Sequence, residues 1–185
     1  MNKKNKTVWS ERFKGSTSKI FEKIGSSIEI DKRLFKEDIL GSIIHTKMLI
    51  KQKIIQRKVG NKIIWGLKKI FNEISRKKFK FSNKNEDIHL NIEKRLFKLI
   101  GSSAGYLHIA RSRNDQVVTD FKLWIKSSTN IIINSLDLLC KNFIKKAENN
   151  ITTAMPGFTH LKNAQPIVFA HYLLAYIEMF QRDKK

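Results

Sequence analysis

The longest apolar-periodic segment of the chain, residues 113–149, constrains the fold more than any other feature. Its apolar side chains recur with the period of an α-helix, and a helix of this length extends about 50 Å. One apolar stripe comprises Val118, Phe121, Ile125, Ile132, Leu136, Leu139 and Phe143, and a second comprises Val117, Trp124, Ile131 and Leu138. Because a helix with two apolar stripes is contacted on more than one side, the segment predicts a helix in the middle of a bundle.

Shorter helical patterns stand on both sides of this segment. The periodicity predicts helices over residues 17–24, 32–50, 54–75 and 86–100, and a further helix from Ala164 onwards. No segment has a convincing strand pattern. The sequence therefore predicts an all-α protein, with a small helical N-terminal domain over residues 1–112 and the start of a long-helix bundle over residues 113–185. We expect its apolar stripes to be exposed unless other chains cover them.

The formal net charge of +21 is the largest deviation in composition. Such a charge suggests a nucleic-acid or membrane-surface partner. The lysines, however, are spread from Lys3 to Lys185, and the chain is rich in the residues with A- and T-rich codons, namely Lys, Ile, Asn and Phe. The densest cluster, residues 76–85, has the composition of an exposed loop. We favour compositional drift and expect no specific nucleic acid, and we keep a basic helical nucleic-acid-binding protein as an alternative.

The remaining bulk properties exclude several classes of protein. Cys140, the single cysteine, lies in an apolar helical run, which predicts a core thiol rather than a nucleophile. No apolar block follows the charged N-terminus, and no stretch is long enough to cross a bilayer, so we expect a soluble intracellular protein without a membrane partner. The histidines lack the short spacings of zinc sites and no cofactor motif is present, so we expect no metal and no cofactor.

Two polar segments stand where the helical pattern begins or breaks. RSRNDQ (111–116) opens the long helix, where the backbone N–H groups favour an anion, Arg113 could clamp a carboxylate, and Asn114 and Gln116 could orient other oxygens. The alternative is that Ser112 or Asn114 only caps the helix, and these residues alone do not decide. GFTHLKNAQP (157–166) places His160 in a turn between helices, where it is either a general acid or base or a solvated structural residue.

Taken together, these segments resemble one family. LHIARSRNDQVVTDFKLW (107–124) and MPGFTHLKNAQPIVFAHYLLAY (155–176) resemble motifs of the argininosuccinate lyases, which belong to the fumarase/aspartase superfamily. WSERFKG (9–15), SSIEIDKRLFKEDILGS (26–42) and NEDIHLNIEKRL (85–96) are similar to the opening segments of the same family. The resemblance extends from Trp9 to Asp183.

The resemblance implies a fold, a reaction and a set of site residues. Members are cytoplasmic homotetramers with a long central helical bundle, and three subunits build each active site. They split argininosuccinate reversibly into arginine and fumarate, the last step of arginine biosynthesis, without metal or cofactor. The resemblance makes Ser27, Arg113, Asn114 and Thr159 substrate-binding residues, His160 the acid or base, and Asp87, His89 and Ser112 supporting residues.

The chain also departs from the family pattern. Ile109 and Ala110 stand where the family has Thr and Gly, and Lys162 stands where the family has Gln. The chain has less than half the usual length, and the loop that carries the catalytic Ser of the family is not in it. We therefore expect the 185-residue chain by itself to be an incomplete fragment without lyase turnover. A non-catalytic relict of that lyase is the second alternative.

Overall fold

The computed structural model describes residues 18–185, so WSERFKG (9–15) and the first residue of the predicted helix 17–24 lie outside the described residues. The helices are α1 (Lys19–Gly25), α2 (Ile28–Asp31), α3 (Phe35–Lys51), α4 (Arg57–Ser75), α5 (Ile88–Ile100), α6 (Arg113–Glu148) and α7 (Phe169–Asp183). Short 3-10 segments (Lys32–Leu34, Asn83–Asn85 and Gly101–His108) and a hairpin of β1 (Ala154–Thr159) and β2 (Lys162–Val168) connect them. Helices dominate this part of the chain, which confirms the predicted fold class.

The chain divides into two compact units, one that ends at Trp124 and one that comprises Ile125–Lys185, so the division falls inside α6. The expected domain boundary between residues 112 and 113 coincides with the start of α6, and as a domain boundary it stays a prediction. In the first unit, α4 packs against both α3 and α5. Their apolar stripes form a core that includes Ile39, Leu49, Ile63, Leu67, Ile70, Ile88, Ile92 and Leu96.

Gly66 in the middle of α4 allows the close approach of α5. A Cβ atom at this position would lie 2.5 Å from Cδ1 of Leu96, which is closer than carbon atoms pack. Glycine weakens a helix interior by ~1 kcal/mol relative to alanine. Gly66 interrupts the apolar pattern of this segment in the sequence, because the tight packing against α5 leaves no room for a side chain. The helix nevertheless continues through this position.

The hairpin corrects two sequence-based expectations, because residues 154–168 were expected to contain no strand and to return to a helix at Ala164. Thr159 pairs with Lys162, and the two residues between them, His160 and Leu161, have φ values of 48° and 62°. Positive φ at both central residues is the geometry of a two-residue hairpin turn, which Asn-Gly usually signals in sequence. His-Leu does not carry that signal, so the hairpin was missed.

Gly157 shows why β1 needs a glycine. A Cβ atom there would lie 2.7 Å from the backbone carbonyl oxygen of Gln165 in β2, and a backbone atom cannot move aside as a side chain can. The strand register is irregular between Pro156 and Phe158, so the two backbones approach closely at this point.

In the second unit, the C-terminal part of α6 packs against α7. The contact comprises Ala147, Ala170 and Leu173 with Phe143 and Phe169 around them. Cys140 is buried, which confirms the predicted core thiol. Elsewhere on α6 the apolar stripes are open, since Ile131 and Leu138 are 64% and 63% exposed. In the part of the chain described here, no helix combines the length and apolarity that a membrane span requires.

Candidate functional site

The first unit brings together Ser27, Asp87 and Arg113 at the points where α2, α5 and α6 begin. The Ser27 hydroxyl donates to Oδ2 of Asp31 at 2.6 Å, and the other oxygen of Asp31 accepts the backbone N–H of Ile88 at 3.1 Å. Oδ2 of the neighbouring Asp87 lies 3.5 Å from Nε of Arg113. Three segments that are far apart in sequence therefore meet in one polar site.

The Asp87 carboxylate serves two elements at once. Its Oδ1 accepts the backbone N–H of Leu90 at 2.6 Å, so Asp87 is the N-cap of α5. Its other oxygen faces Arg113 at the mouth of α6. A capping carboxylate is favoured at a helix N-terminus, because it satisfies an unpaired N–H group and opposes the positive end of the dipole.

Protein groups hold Arg113 at two of the three nitrogens of its guanidinium. Nη1 donates to Oε1 of Glu93 at 3.1 Å and to Oε1 of Gln116 at 3.0 Å, and Nε faces Asp87. Nη2 has no partner among the described residues, and about a third of the side chain is exposed. An arginine fixed in this way can offer the N–H groups of Nη2 to the carboxylate of a ligand.

Ser112 and Asn114 show that RSRNDQ is also a helix cap. The Ser112 hydroxyl accepts the backbone N–H of Asn114 at 3.2 Å, and its carbonyl oxygen accepts that of Gln116. Asn114 is exposed, and its side-chain amide has no partner in the part of the chain that is described. The capping interpretation therefore holds for Ser112, and the side chains of Arg113 and Asn114 stay available.

Beneath this site lies a buried polar cluster, which we name the Asp38 cluster and define as Asp38, His89, Gln116 and Asp120. Nδ1 of His89 lies 2.9 Å from Oδ1 of Asp38 and 3.6 Å from Oδ2 of Asp120. The Gln116 side-chain amide donates to Asp38, and all four residues are buried. Gln116 thus joins the cluster to Arg113 and does not point outward to a ligand, contrary to the sequence-based interpretation.

Contacts within the Asp38 cluster shift the pKa values of its titratable members. Burial opposes the charged form of both Asp38 and His89. Burial is the largest single influence, but the hydrogen bond and the charge attraction between the two groups, together with smaller contributions from their neighbours, outweigh it, so the pKa of Asp38 is lowered and that of His89 is raised. Burial, and then the charge of Asp38, raise the pKa of Asp120 to about 7. When both carboxylates are ionised, neither oxygen of Asp120 has a hydrogen-bond donor, and a proton on Asp120 allows one of its oxygens to donate a hydrogen bond to Asp38.

Asp38, His89 and Asp120 also offer ligand-type atoms that all lie within 4.8 Å of one another. The sequence showed no metal-ligand spacing, because 51 residues separate Asp38 from His89 along the chain. Positive charge is already present beside the carboxylates: Nη2 of Arg111 and Oδ1 of Asp120 both lie against Gly41. Arg111 and a protonated His89 fit this site as counter-charges, and the expected absence of a metal stays a prediction.

Sequence reasoning missed the cluster, although one signal was present. Asp38, Ser42 and Thr46 stand four residues apart on α3 and are all buried, so they form a polar stripe on an otherwise apolar face. Gln116 and Asp120 have the same spacing on α6, which places both on one face of that helix. Buried polar residues at helical spacing require partners, and here Gln116 of one stripe donates to Asp38 of the other.

Thr159 and His160 lie in the second unit, at the end of β1 and in the hairpin turn. Both are exposed, and neither side chain has a partner among the described residues. Lys162 follows at the start of β2, directly opposite Thr159 in the register. The other predicted site residues all belong to the first unit, so within its own unit this turn stands alone.

The departure at Ala110 has a structural consequence. Ala110 has φ of 53°, a left-handed conformation that glycine adopts more readily than alanine. The preceding Ile109 is fixed by its carbonyl oxygen, which lies 2.9 Å from Nε2 of His45. A strained backbone residue therefore stands directly before RSRNDQ.

Comparison with known proteins gives close relatives of this chain. It is 60% identical over 184 residues to the argininosuccinate lyase of Pelagibacter ubique (strain HTCC1062), a match that covers 100% of the chain and 40% of that relative. It is 53% identical over 176 residues to the argininosuccinate lyase of Ehrlichia canis (strain Jake), covering 95% of the chain and 37% of the relative. The chain therefore spans about 40% of the length of the curated relatives it matches, and it corresponds to their N-terminal portion.

A solved structure and a family model agree with these relatives. The crystal structure of EDDS lyase in complex with formate matches with a TM-score of 0.73 at 24% identity, covering 92% of this chain and 34% of that one. This likeness establishes the fold. The family model described as "Lyase" matches residues 11–185, nearly the whole chain. Together with the relatives, this match shows that the chain belongs to the lyase family, among the homologues of argininosuccinate lyase.

Proposed function

We propose that the chain is the N-terminal portion of an argininosuccinate lyase, a carbon–nitrogen lyase that splits argininosuccinate reversibly into arginine and fumarate. The observation that carries the proposal is the 60% identity to the Pelagibacter ubique enzyme over the whole chain. The site is compatible with it, because the substrate carries several carboxylates and Nη2 of Arg113 has no protein partner among the described residues at the mouth of α6.

In the first unit, Ser27, Arg113 and Asn114 are the proposed substrate-binding residues. The guanidinium of Arg113 would hold a carboxylate through Nη2, while Glu93 and Asp87 keep the side chain in place. The exposed Asn114 amide and the Ser27 hydroxyl supply neutral hydrogen bonds beside it. Asp87, His89 and Ser112 support them: Asp87 orients Arg113, Ser112 caps α6, and His89 anchors the Asp38 cluster below.

The reaction needs one base and one acid. The base removes a proton from the carbon next to a carboxylate. The C–N bond then breaks, its electron pair goes to the guanidino nitrogen, and an acid protonates that nitrogen as arginine leaves. Charge accumulates on the carboxylate in between, and fixed cations and N–H donors stabilise it. We assign His160 to the acid or base role and Thr159 to substrate binding, since both side chains are exposed and uncommitted.

The complete site is proposed to include residues beyond this chain. By similarity to the family, it would be assembled from several subunits of a cytoplasmic homotetramer. Ile131 and Leu138 on α6 are more than 60% exposed, and neighbouring helices of such a bundle would cover them. No metal or organic cofactor is required by the chemistry above.

A chimera tests the proposal. Residues 1–185 are fused to the part of the Pelagibacter ubique lyase that follows the matched region, and fumarate release from argininosuccinate is measured. We expect turnover by the chimera. Loss of the Arg113 donor in Arg113→Gln should lower kcat/KM by roughly 100-fold or more. Arg57→Gln, a change at the exposed first residue of α4, is the matched control and should retain activity.

Two results would contradict the proposal. One is an inactive chimera beside an active Pelagibacter ubique enzyme prepared in the same way. The other is an Arg113→Gln chimera as active as the Arg57→Gln control. The 185-residue chain alone serves as the background measurement, for which we expect no fumarate release.

A further inference from the structure

A second concave site lies between the end of α4, the segment that follows it and α5. The cavity has a volume of about 450 Å³, within the range of small-molecule sites. It is lined by Glu73, Lys78, Phe79, Lys80, Ser82, Asn85, Asn91, Lys94, Arg95 and Lys98. None of these residues belongs to the predicted lyase site. We name this cavity the basic pocket.

The wall of the basic pocket is fixed by Asn91. This residue is buried, and its Oδ1 accepts the backbone N–H of Ser82 at 2.8 Å and the side-chain amide of Asn85 at 3.2 Å. Its Nδ2 donates to the carbonyl oxygens of Ser82 and Asp87. One side chain on α5 therefore ties down the segment opposite it, and the pocket does not depend on a loosely held loop.

Aromatic packing holds the same segment from the other side. The rings of Phe79 and Phe81 have centroids 4.8 Å apart, and both pack against the core of the first unit. The lysines that alternate with them, Lys78 and Lys80, are exposed. Their backbone is consequently anchored, while their side chains are exposed and line the pocket.

The charges around the pocket are unbalanced. Five cationic side chains line it against the single carboxylate of Glu73, a surplus of four positive charges. Arg95 already binds that carboxylate with two hydrogen bonds, of 2.7 and 2.9 Å. Lys78, Lys80 and Lys98 have no acidic partner among the described residues. Cations gathered around one cavity repel one another, and an anion that enters it relieves that repulsion.

We propose that the basic pocket binds the polyphosphate chain of a small ligand, either an inorganic polyphosphate or the triphosphate of a nucleotide. A surplus of four charges exceeds what one carboxylate can neutralise and suits a chain of phosphates. Ammonium groups bind phosphate oxygens as point charges from several directions, as the spread of these lysines requires. This site differs from the general lysine excess of the chain because its cations line one preformed cavity.

Binding of tripolyphosphate and of ATP to the 185-residue chain is measured by titration calorimetry at 150 mM salt, each without added metal. We expect one ligand per chain, with affinities for the two probes that agree within about threefold. Replacing three of the cations, in Lys78→Gln/Lys80→Gln/Lys98→Gln, should weaken both by tenfold or more. The control, Lys47→Gln/Lys58→Gln/Lys62→Gln, removes the same charge from exposed positions outside the pocket and should bind within twofold of the unaltered chain.

Three results would overturn the proposal. The first is no saturable binding of tripolyphosphate. The second is equal weakening in the two triple variants, which would make the attraction a property of the net charge of +21. The third is binding of ATP without binding of tripolyphosphate, which would show that the phosphate chain is not what the pocket recognises. Circular dichroism of both variants, expected to match the unaltered chain, shows that the comparison is between folded proteins.

Discussion

Replacing Asp120 by asparagine changes how the stability of the first unit depends on pH. Asp120 is buried, and its pKa is raised from 3.8 to about 7, so the folded chain holds a proton that the unfolded chain has released between these two values. Below pH 3.8, protonated Asp120 makes its full contribution to the free energy of unfolding. This contribution is lost progressively as the pH rises towards 7. The ionisation of Asp38 and that of Asp120 influence each other, so this titration belongs to the pair of carboxyl groups and not to Asp120 alone.

The size of the effect follows from the shift. Each pH unit between the two pKa values costs ~1.4 kcal/mol, so the whole interval of roughly three units costs about 4 kcal/mol of unfolding free energy. The asparagine side chain in Asp120→Asn cannot ionise, and it can donate a hydrogen bond to Asp38 in place of the shared proton. At pH 4 to 5, the free energy of unfolding of Asp120→Asn should therefore be only slightly below that of the unaltered chain. As the pH rises to 7, the variant should become progressively more stable relative to the unaltered chain.

Urea denaturation at pH 4.5, 5.5, 6.5 and 7.5 and constant ionic strength measures this difference. The fluorescence of Trp65 and Trp124, both in the first unit, reports unfolding. Subtracting the unfolding free energy of the unaltered chain from that of Asp120→Asn at each pH removes the contribution of all other titrating groups. Asp115→Asn, which neutralises an exposed carboxylate on the first turn of α6, is the control and should give a flat difference. A difference between Asp120→Asn and the unaltered chain that stays constant across this range would refute the reasoning.

The other expected outcomes concern the N-cap of α5 and the tight contact of α4. Asp87→Ala should lower the unfolding free energy by ~1 kcal/mol, because the hydrogen bond that caps the N–H of Leu90 is lost. Asp87→Asn can still cap the helix and should retain most of that free energy. Equal decreases of the urea midpoint in the two variants would contradict the capping role. Gly66→Ala should destabilise by about 1–3 kcal/mol, because its Cβ meets Leu96, despite the better helix propensity. Gly105→Ala, where the added atom meets open space, is the control, and a Gly66→Ala chain with an unchanged or raised melting temperature would contradict the packing argument.

Local patterns sufficed to predict most helices. The periodic segments predicted at 54–75, 86–100 and 113–149 correspond to α4, α5 and α6 within a few residues at each end. α4 and α5 each bury one apolar face, and α6 carries apolar residues at the same helical period, so the spacing of each helix's own residues carries the information. The hairpin is the exception, because its stability comes from backbone pairing between β1 and β2, and its His-Leu turn lacks the usual signal.

The candidate site likewise contains residues that the sequence predicted and contacts that it did not. RSRNDQ was recognisable because its functional groups are contiguous, and the chain places Arg113 and Asn114 at a helix mouth as expected. Whether these residues bind argininosuccinate stays a proposal. The supporting contacts could not be predicted, since Asp31, Glu93 and Asp38 come from three other helices and no local spacing connects them to Arg113.

By itself, the sequence determined the helical class, the long two-striped helix and membership of the lyase family. Those properties depend on periodicity and on contiguous motifs, which are local. Only the tertiary structure decided which polar residues are buried together and which cations line one cavity. The Asp38 cluster joins residues that lie 51 and 78 positions apart, and the basic pocket exists because Asn91 fixes a segment nine residues earlier in the chain. Such sites arise because burial forces each polar group to find a partner wherever the fold supplies one, independently of distance along the chain.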